Sequence, residues 1–278
     1  MAIQLRGATV VVTGGSRGLG RMIALELAGR GAHVALAARS SEDLQVLKKE
    51  IEVGGGRAIA VPTDVTRAED RERLVQAVEG DLGPIDVLVN NAGIERIGAF
   101  ATHSDEDIAQ LLAVDVQAPM LLTRRVLPGM LARGRGQVVN VSSVFGKGAG
   151  PWDSVYAGAK HALLGWSFSL RLELRGTGVG VSTVCPGLVV DDGMFANLAT
   201  PDDLRQVRRA GVSTTSRKVA RSVAKAIDRD APEVVSAGPA GAVVDVIYAV
   251  SPRLGEETVA HSPAFAMGRQ MAKRHGVA

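Results

Sequence analysis

The sequence predicts an α/β fold, a Rossmann-type doubly wound parallel sheet in a single domain with a helical C-terminal extension. Three observations carry this. Short runs rich in Val and Ala alternate with amphipathic stretches through residues 1–190, the order that builds parallel sheets with right-handed crossovers. The strand-like runs are apolar at nearly every position, as strands covered on both faces require. A glycine-rich turn follows the first of them and opens into a helix.

Strands are expected at 8–12, 32–37, 58–62, 87–89, 137–141 and 179–184. Helical periodicity fills the intervals at 18–28, 41–53, 67–79, 105–133 and 156–175. Gly54-Gly55-Gly56 is a turn between a helix and the next strand. A helix at 216–229 then leads to a last strand at 233–237. Residues 1–238 therefore read as a dinucleotide-binding catalytic domain, with about 190–212 as a substrate lid. Residues 239–278 form the extension. Within it, 242–250 is apolar on nearly every face, Ser251-Pro252 breaks the chain, and a second helix is expected over 264–274. Packing on the sheet, dimer contact, a lid over the pocket and peripheral membrane contact all remain open for this tail.

With 278 residues the chain can bury a large core. Aromatics are only 3%, so that core must be built from Val, Leu, Ile and Ala. The net charge of +3 is spread along the chain, and the arginines of 205–209 lack interleaved aromatics. They read as a solvated helix face and give no sign of a nucleic-acid partner. The single Cys185 excludes an intrachain disulfide and points to a reducing, cytoplasmic setting. It reads as a buried structural thiol, with no base evident beside it. Gly14 and Gly15 interrupt the apolar N-terminal run, so no secretory signal is read, and no stretch reaches membrane-spanning length. His33, His103, His261 and His275 show no metal-ligand spacing and read as surface groups; no metal is expected.

The chemistry begins at Val10-Val11-Val12-Thr13-Gly14-Gly15-Ser16-Arg17-Gly18-Leu19-Gly20. A tight glycine turn lets the backbone approach a pyrophosphate, whose charge sits over the helix N-terminus. Gly14, Ser16, Arg17, Gly18, Leu19 and Gly20 are the expected contacts, and the Gly-Lys-Ser/Thr ending of a phosphotransferase loop is missing. An NAD site usually places an acid at the end of the second strand. Here that position reads Ala38-Arg39-Ser40. Arg39 with Arg17, and no carboxylate, suit a 2′-phosphate through charge-assisted bonds. NADP(H) is the expected cofactor.

Five motifs then stand in order: Thr13-Gly14-xxx-Gly18-x-Gly20, Asp64-Val65, Asn90-Asn91-Ala92-Gly93, Ser143 ahead of Tyr156-xxx-Lys160, and Pro186-Gly187. Together they resemble the short-chain dehydrogenase/reductase family, in its single-domain branch, over residues 7–195. The resemblance implies a hydride-transferring oxidoreductase acting on a carbonyl or alcohol carbon of a small molecule, and a homodimer or homotetramer. It assigns Asp64 and Val65 to adenine, Asn91, Ala92 and Gly93 to the adjoining ribose side, and Pro186, Gly187 and Val189 to the nicotinamide carboxamide. Lys160 would also hold the nicotinamide ribose.

The residues agree with that assignment. Tyr156 and Lys160 are one helical turn apart, so a nearby ammonium is expected to lower the phenol's pKa toward the working pH. Ser143 ends the fifth strand, where its hydroxyl can support charge on a substrate oxygen. Ser142 is the rival serine and reads as structural. A Ser-His-Asp hydrolase using His161 lacks the Gly-x-Ser-x-Gly elbow.

Two positions depart from the family. Asp115 stands where the family has an asparagine that orders water behind the lysine, so a shifted pH dependence is expected. Asp191, in place of a threonine near the cofactor, would be repelled by a pyrophosphate and implies a different loop path. Phe145, Trp152, Met194 and Phe195, with Leu198, suggest a largely hydrophobic substrate. A cofactor-binding regulatory or scaffold protein of weak activity is the competing reading, and a membrane-surface reductase is a third.

Overall fold

A computed structural model describes residues 2–274. Its chain alternates as β1 (Thr9–Thr13), α1 (Gly18–Gly29), β2 (His33–Ala38), α2 (Ser41–Val53), β3 (Arg57–Pro62), α3 (Ala68–Asp81) and β4 (Val87–Asn90). There follow α4 (Asp105–Leu112), a π-helical turn at Ala113–Gln117, α5 (Ala118–Ala132), β5 (Gly136–Val141), α6 (Ser154–Glu173) and β6 (Val179–Pro186). The remaining elements are β7 (Leu188–Val189), α7 (Met194–Leu198), α8 (Pro201–Arg209), β8 (Ser213–Thr214), α9 (Ser216–Arg229) and β9 (Glu233–Ser236). Three helices close the described chain: α10 (Pro239–Val250), α11 (Pro252–Ala260) and α12 (Pro263–Arg274).

The main sheet has seven strands in the order β3-β2-β1-β4-β5-β6-β9, and every neighbouring pair is parallel. Alternate residues of one strand serve opposite faces. Val10 and Val12 point with Val34 and Leu36 into a core shared with α1, α2 and α9. Val11 and Ala35 face the other way, with Leu88 and Val138, against α3, α5 and α6. Small Ala and Val side chains on both faces let helices approach closely, and the scarcity of aromatics costs the core nothing. Order reverses between β1 and β4, so a crevice opens beyond their carboxyl ends, the usual ligand position in such sheets. The expected strands and helices up to 237 are all present, with ends displaced by a few residues.

Four features depart from the sequence reading or add to it. The helix expected over 105–133 is broken by the π turn, which inserts an extra residue and turns Asp115 inward, completely buried. Residues 190–212 fold as α7 and α8, bracketed by a small parallel sheet of β7 and β8. Ser251-Pro252 ends α10 but also starts α11, whose Leu254 N–H donates to the Ser251 hydroxyl. His33 and His103 are half-buried, contrary to the surface placement expected, while His261 is exposed and His275 lies outside the described residues. Arg205, Arg208 and Arg209 are exposed on α8, a solvated face. Among the described residues no helix is long and apolar enough to cross a membrane.

Candidate active site

The glycine turn after β1 is shaped by contact. A Cβ on Gly14 would sit 2.9 Å from Ala92 Cα, and one on Gly20 would meet Asn91 Nδ2 at 2.6 Å and the Gly14 carbonyl oxygen. Gly14 and Gly18 also hold positive φ angles of 65° and 56°, which glycine adopts without strain. The Thr13 hydroxyl accepts from Asn91 N–H at 3.0 Å and Ala92 N–H at 3.1 Å, and Asn91 Nδ2 donates to the Thr13 carbonyl at 2.9 Å. The turns after β1 and β4 are thereby bolted together, so Asn91 has a structural duty whatever else it contacts.

Several helices have a side-chain cap: Ser40 on α2, Ser104 on α4, Thr200 on α8 and Thr215 on α9. At α1 the N-cap Arg17 makes no such bond, and no acid stands in the first turn. Its leading N–H groups are left for an anion. Beside it an open hollow of about 390 Å³ is lined by Arg39, Pro62, Thr63, Asp64, Arg67, Asp70 and Arg73. Arg17 stands apart, exposed at its helix start. Burial pushes the Asp64 carboxyl up, but bonds from Thr66 and the charge of Arg39 outweigh it and leave it below its usual value. Arg67 escaped the sequence reading because it starts a helix well beyond Arg39, and only the fold brings the two together. Val65, Ala92 and Val114 line a narrow cleft with Thr13. This cradle fits a dinucleotide carrying an extra phosphate.

Gly187 lies against the Val212 carbonyl and Ala237, and its N–H donates to the Ser236 carbonyl at 3.0 Å. Val189 is held in β7. The two oxygens of Asp191 accept from the Ser216 N–H at 2.8 Å and hydroxyl at 2.9 Å at the start of α9, while the neighbouring Gly193 lies against Gly18 of the glycine loop.

Around Tyr156 the structure brings Ser143, Lys160 and Asp115 together. Tyr156 and Lys160 are buried in α6, the ammonium 5.2 Å from the phenol ring centroid. Lys160 Nζ lies 3.0 Å from Asp115 Oδ2 and donates to the Val141 carbonyl at 3.3 Å. Asp115 Oδ1 accepts from the Ile94 N–H at 2.8 Å. A Cβ on Gly93 would touch both Asp115 Oδ2 at 3.0 Å and Lys160 Nζ at 3.5 Å, so only glycine leaves room for the pair. Ser142 donates to the Lys160 carbonyl at 3.0 Å and anchors the helix, as its structural reading requires. Cys185 is fully buried and its thiol is pushed up, first by burial and then by Glu233.

One electrostatic expectation is reversed. Tyr156 is pushed well above its ordinary value, first by burial and then by Glu95, Asp115 and Asp153, with only the Ser143 hydroxyl bond pulling it down. Burial raises Asp115 too, against the pull of Lys160 and the Ile94 bond. Glu95 and Asp153 were not foreseen. A carboxylate at a helix start reads from sequence as an ordinary cap, and nothing in the periodicity shows this one turned elsewhere.

The four residues expected to line the substrate pocket do not all converge. Phe145 packs beside Tyr156, Leu111 and Ala159. Phe195 is buried in the lid's own core with Val190, Val207, Met267 and Met271. Trp152 stacks edge-on against Phe265 of α12, ring centroids 5.0 Å apart. Met194 is 41% exposed.

A sequence model of the short chain dehydrogenase family matches residues 8–202. A ketoacyl reductase, HetN, of Nostoc sp. is 42% identical over 231 residues, covering 83% of this chain and 79% of that protein. A short chain dehydrogenase of Pseudocercospora fijiensis is 42% identical over 202 residues, 72% of this chain and 64% of its relative. Among solved structures, a variant of the actinorhodin polyketide ketoreductase with NADPH superposes with a TM-score of 0.79 at 32% identity, over 87% of this chain and 99% of that one. A metagenomic short-chain oxidoreductase in complex with NADP gives 0.71 at 33%, over 84% and 98%. The chain belongs to the short-chain dehydrogenase/reductase family of oxidoreductases.

Proposed function

We propose that the protein is an NADP(H)-dependent carbonyl reductase that works in the reducing direction on a small molecule with an apolar part. The observation that carries this reading is Tyr156. Its phenol is pushed up first by burial and then by the neighbouring acids Glu95, Asp115 and Asp153, so it is set to give a proton rather than to take one. Ser143 would donate to the same substrate oxygen and support its developing charge. Lys160, fixed by Asp115, lies one turn below as the adjoining cation. Bound NADPH supplies the hydride.

Arg39 and Arg67 would hold the 2′-phosphate, and the uncapped start of α1 the pyrophosphate. The two solved relatives hold NADP and NADPH, which supports the choice of nucleotide by kinship. Asp64, Val65, Asn91, Ala92 and Gly93 would border the adenosine half, and Pro186, Gly187 and Val189 the nicotinamide. Segment 190–212 would close over the substrate as a lid, with residues 239–278 as an extension that supports it. A reducing, cytoplasmic setting suits a protein whose one cysteine is a buried thiol.

The test pairs NADPH fluorescence titration with a panel of carbonyl compounds. Tyr156→Phe should lower turnover by about 10²–10⁴-fold while NADPH still binds. Binding of NADPH without turnover on any carbonyl by the unaltered protein would favour the regulatory reading and overturn this one.

A further inference from the structure

The wall of the site facing Tyr156 carries a second pair of acids that the reduction itself does not use. Asp153 is the N-cap residue of α6, yet its side chain makes no capping bond. It is only 3% exposed, and among the described residues neither of its oxygens has a partner other than the carboxyl of Glu95. The nearest polar partner is the carboxyl of Glu95, a further acceptor unless it carries a proton. Such burial of an unmet carboxylate is expensive, and it persists where a ligand or a shared proton meets it.

The backbone shows that this placement is enforced. Trp152, just before Asp153, has φ of 61°, a left-handed conformation rare for a bulky side chain. Its carbonyl accepts from the Gly98 N–H at 2.7 Å, so the loop after β4, which carries Glu95, is tied to the residue before Asp153. Gly268 of α12 lies against the Pro151 carbonyl and the Trp152 ring, and Phe265 stacks on the same ring. Two segments far apart in sequence are thus clamped so that Glu95 and Asp153 meet beside Tyr156. Burial, and then Glu95, raises Asp153 well above a normal carboxyl, while burial raises Glu95 against a bond from Asp153 that lowers it. The ammonium of Lys160 lowers both, and it is paired with Asp115.

Resting on the carbonyl-reductase reading, we propose that Glu95 and Asp153 form an ammonium subsite, and that the substrate is an amino ketone or amino aldehyde whose protonated nitrogen seats between the two carboxylates. In the free protein one proton shared by the pair fills the place. An incoming ammonium releases that proton to solvent and brings its own N–H donors to the unmet oxygens of Asp153. The substrate is then amphipathic, its apolar part against Phe145 and its cation against the acid pair.

The test uses the NADPH-loaded full chain and two matched probes, benzylamine and benzyl alcohol, whose binding is followed calorimetrically. The same protein is assayed for kcat/KM on an α-amino ketone and on its methyl-for-amino isostere. The amine should bind at least about tenfold more tightly than the alcohol, the size expected when a buried charge gains its partner. The amino ketone should be preferred by a similar factor. Asp153→Asn and Glu95→Gln should each bring both ratios toward one. Equal binding of the two probes, or a preference untouched by both substitutions, would overturn the subsite. Preferential amine binding without turnover of any carbonyl would leave the subsite standing and sink the reductase reading instead, so the two failures are separable.

Discussion

Asp115 takes one backbone bond, from Ile94, and one ion pair, to Lys160, in a place sealed from water. Its charge is among the influences that raise the phenol of Tyr156. Because reduction needs the protonated phenol, the reductive rate should stay level across neutral pH and fall only on a far alkaline limb. In Asp115→Asn the carboxylate is gone, Lys160 is left unpaired, and both changes favour phenolate. The alkaline limb of kcat/KM should therefore move to lower pH by about one unit or more. An unmoved limb would show that Asp115 does not act on Tyr156. Arg39 permits a second single-residue test. Arg39→Ala removes a guanidinium from the hollow that also holds Arg67, and NADPH should lose at least about tenfold in its advantage over NADH, the scale of one charge-assisted contact. Loss of affinity for both nucleotides alike would count against a 2′-phosphate role.

At the scale of an element, α10 docks with an acid on its buried side. Asp245 is 5% exposed, its Oδ2 has no partner, and burial pushes it to about 6 in spite of Lys147, which is held by Glu233 at 2.7 Å. A folded-state value above the unfolded one means the folded protein binds the proton more tightly. The stability this group contributes is then fully present below about pH 4 and is lost as pH rises through about 6, after which the penalty is constant. Asp245→Asn should raise Tm at pH 7.5 by a few degrees, with the gain shrinking toward zero near pH 4; an equal change at both pH values would refute this. The same helix shows what sequence can and cannot convey. Periodicity located α10 and α12 because apolar spacing is local, and it located β1 through β6 because strands buried on two faces read as unbroken Val and Ala. Tyr156, Lys160 and Ser143 were legible because one helix and one strand end carry them. Asp153 was not, because its departure from a cap depends on Trp152, Gly98 and α12, which lie far apart in the chain. The π turn at Asp115 was equally hidden, since one inserted residue leaves a helical pattern nearly unchanged.

In the whole molecule the two cores that sandwich the sheet draw no buried residue from beyond Val234. The lid core, in contrast, is completed by Met267 and Met271 of α12, packed on Phe195 and Val207. Arg274 adds an ion pair at 2.6 Å to Asp203, itself nearly enclosed and bonded to Thr200 in the capping box of α8. The extension is thus a strap across α7 and α8 and against Trp152, outside the two cores of the sheet. Removing residues 263–278 should therefore separate two properties. Losing two buried methionines and the ion pair should lower Tm by roughly 5–10 °C, and KM for a carbonyl substrate should rise as the lid loosens. NADPH affinity should hold, because the cradle after β1 and the hollow around Arg39 make no contact with α12. A variant that loses NADPH binding along with its lid would show instead that the strap supports the sheet, and one whose KM is unchanged would show that α7 and α8 close without help.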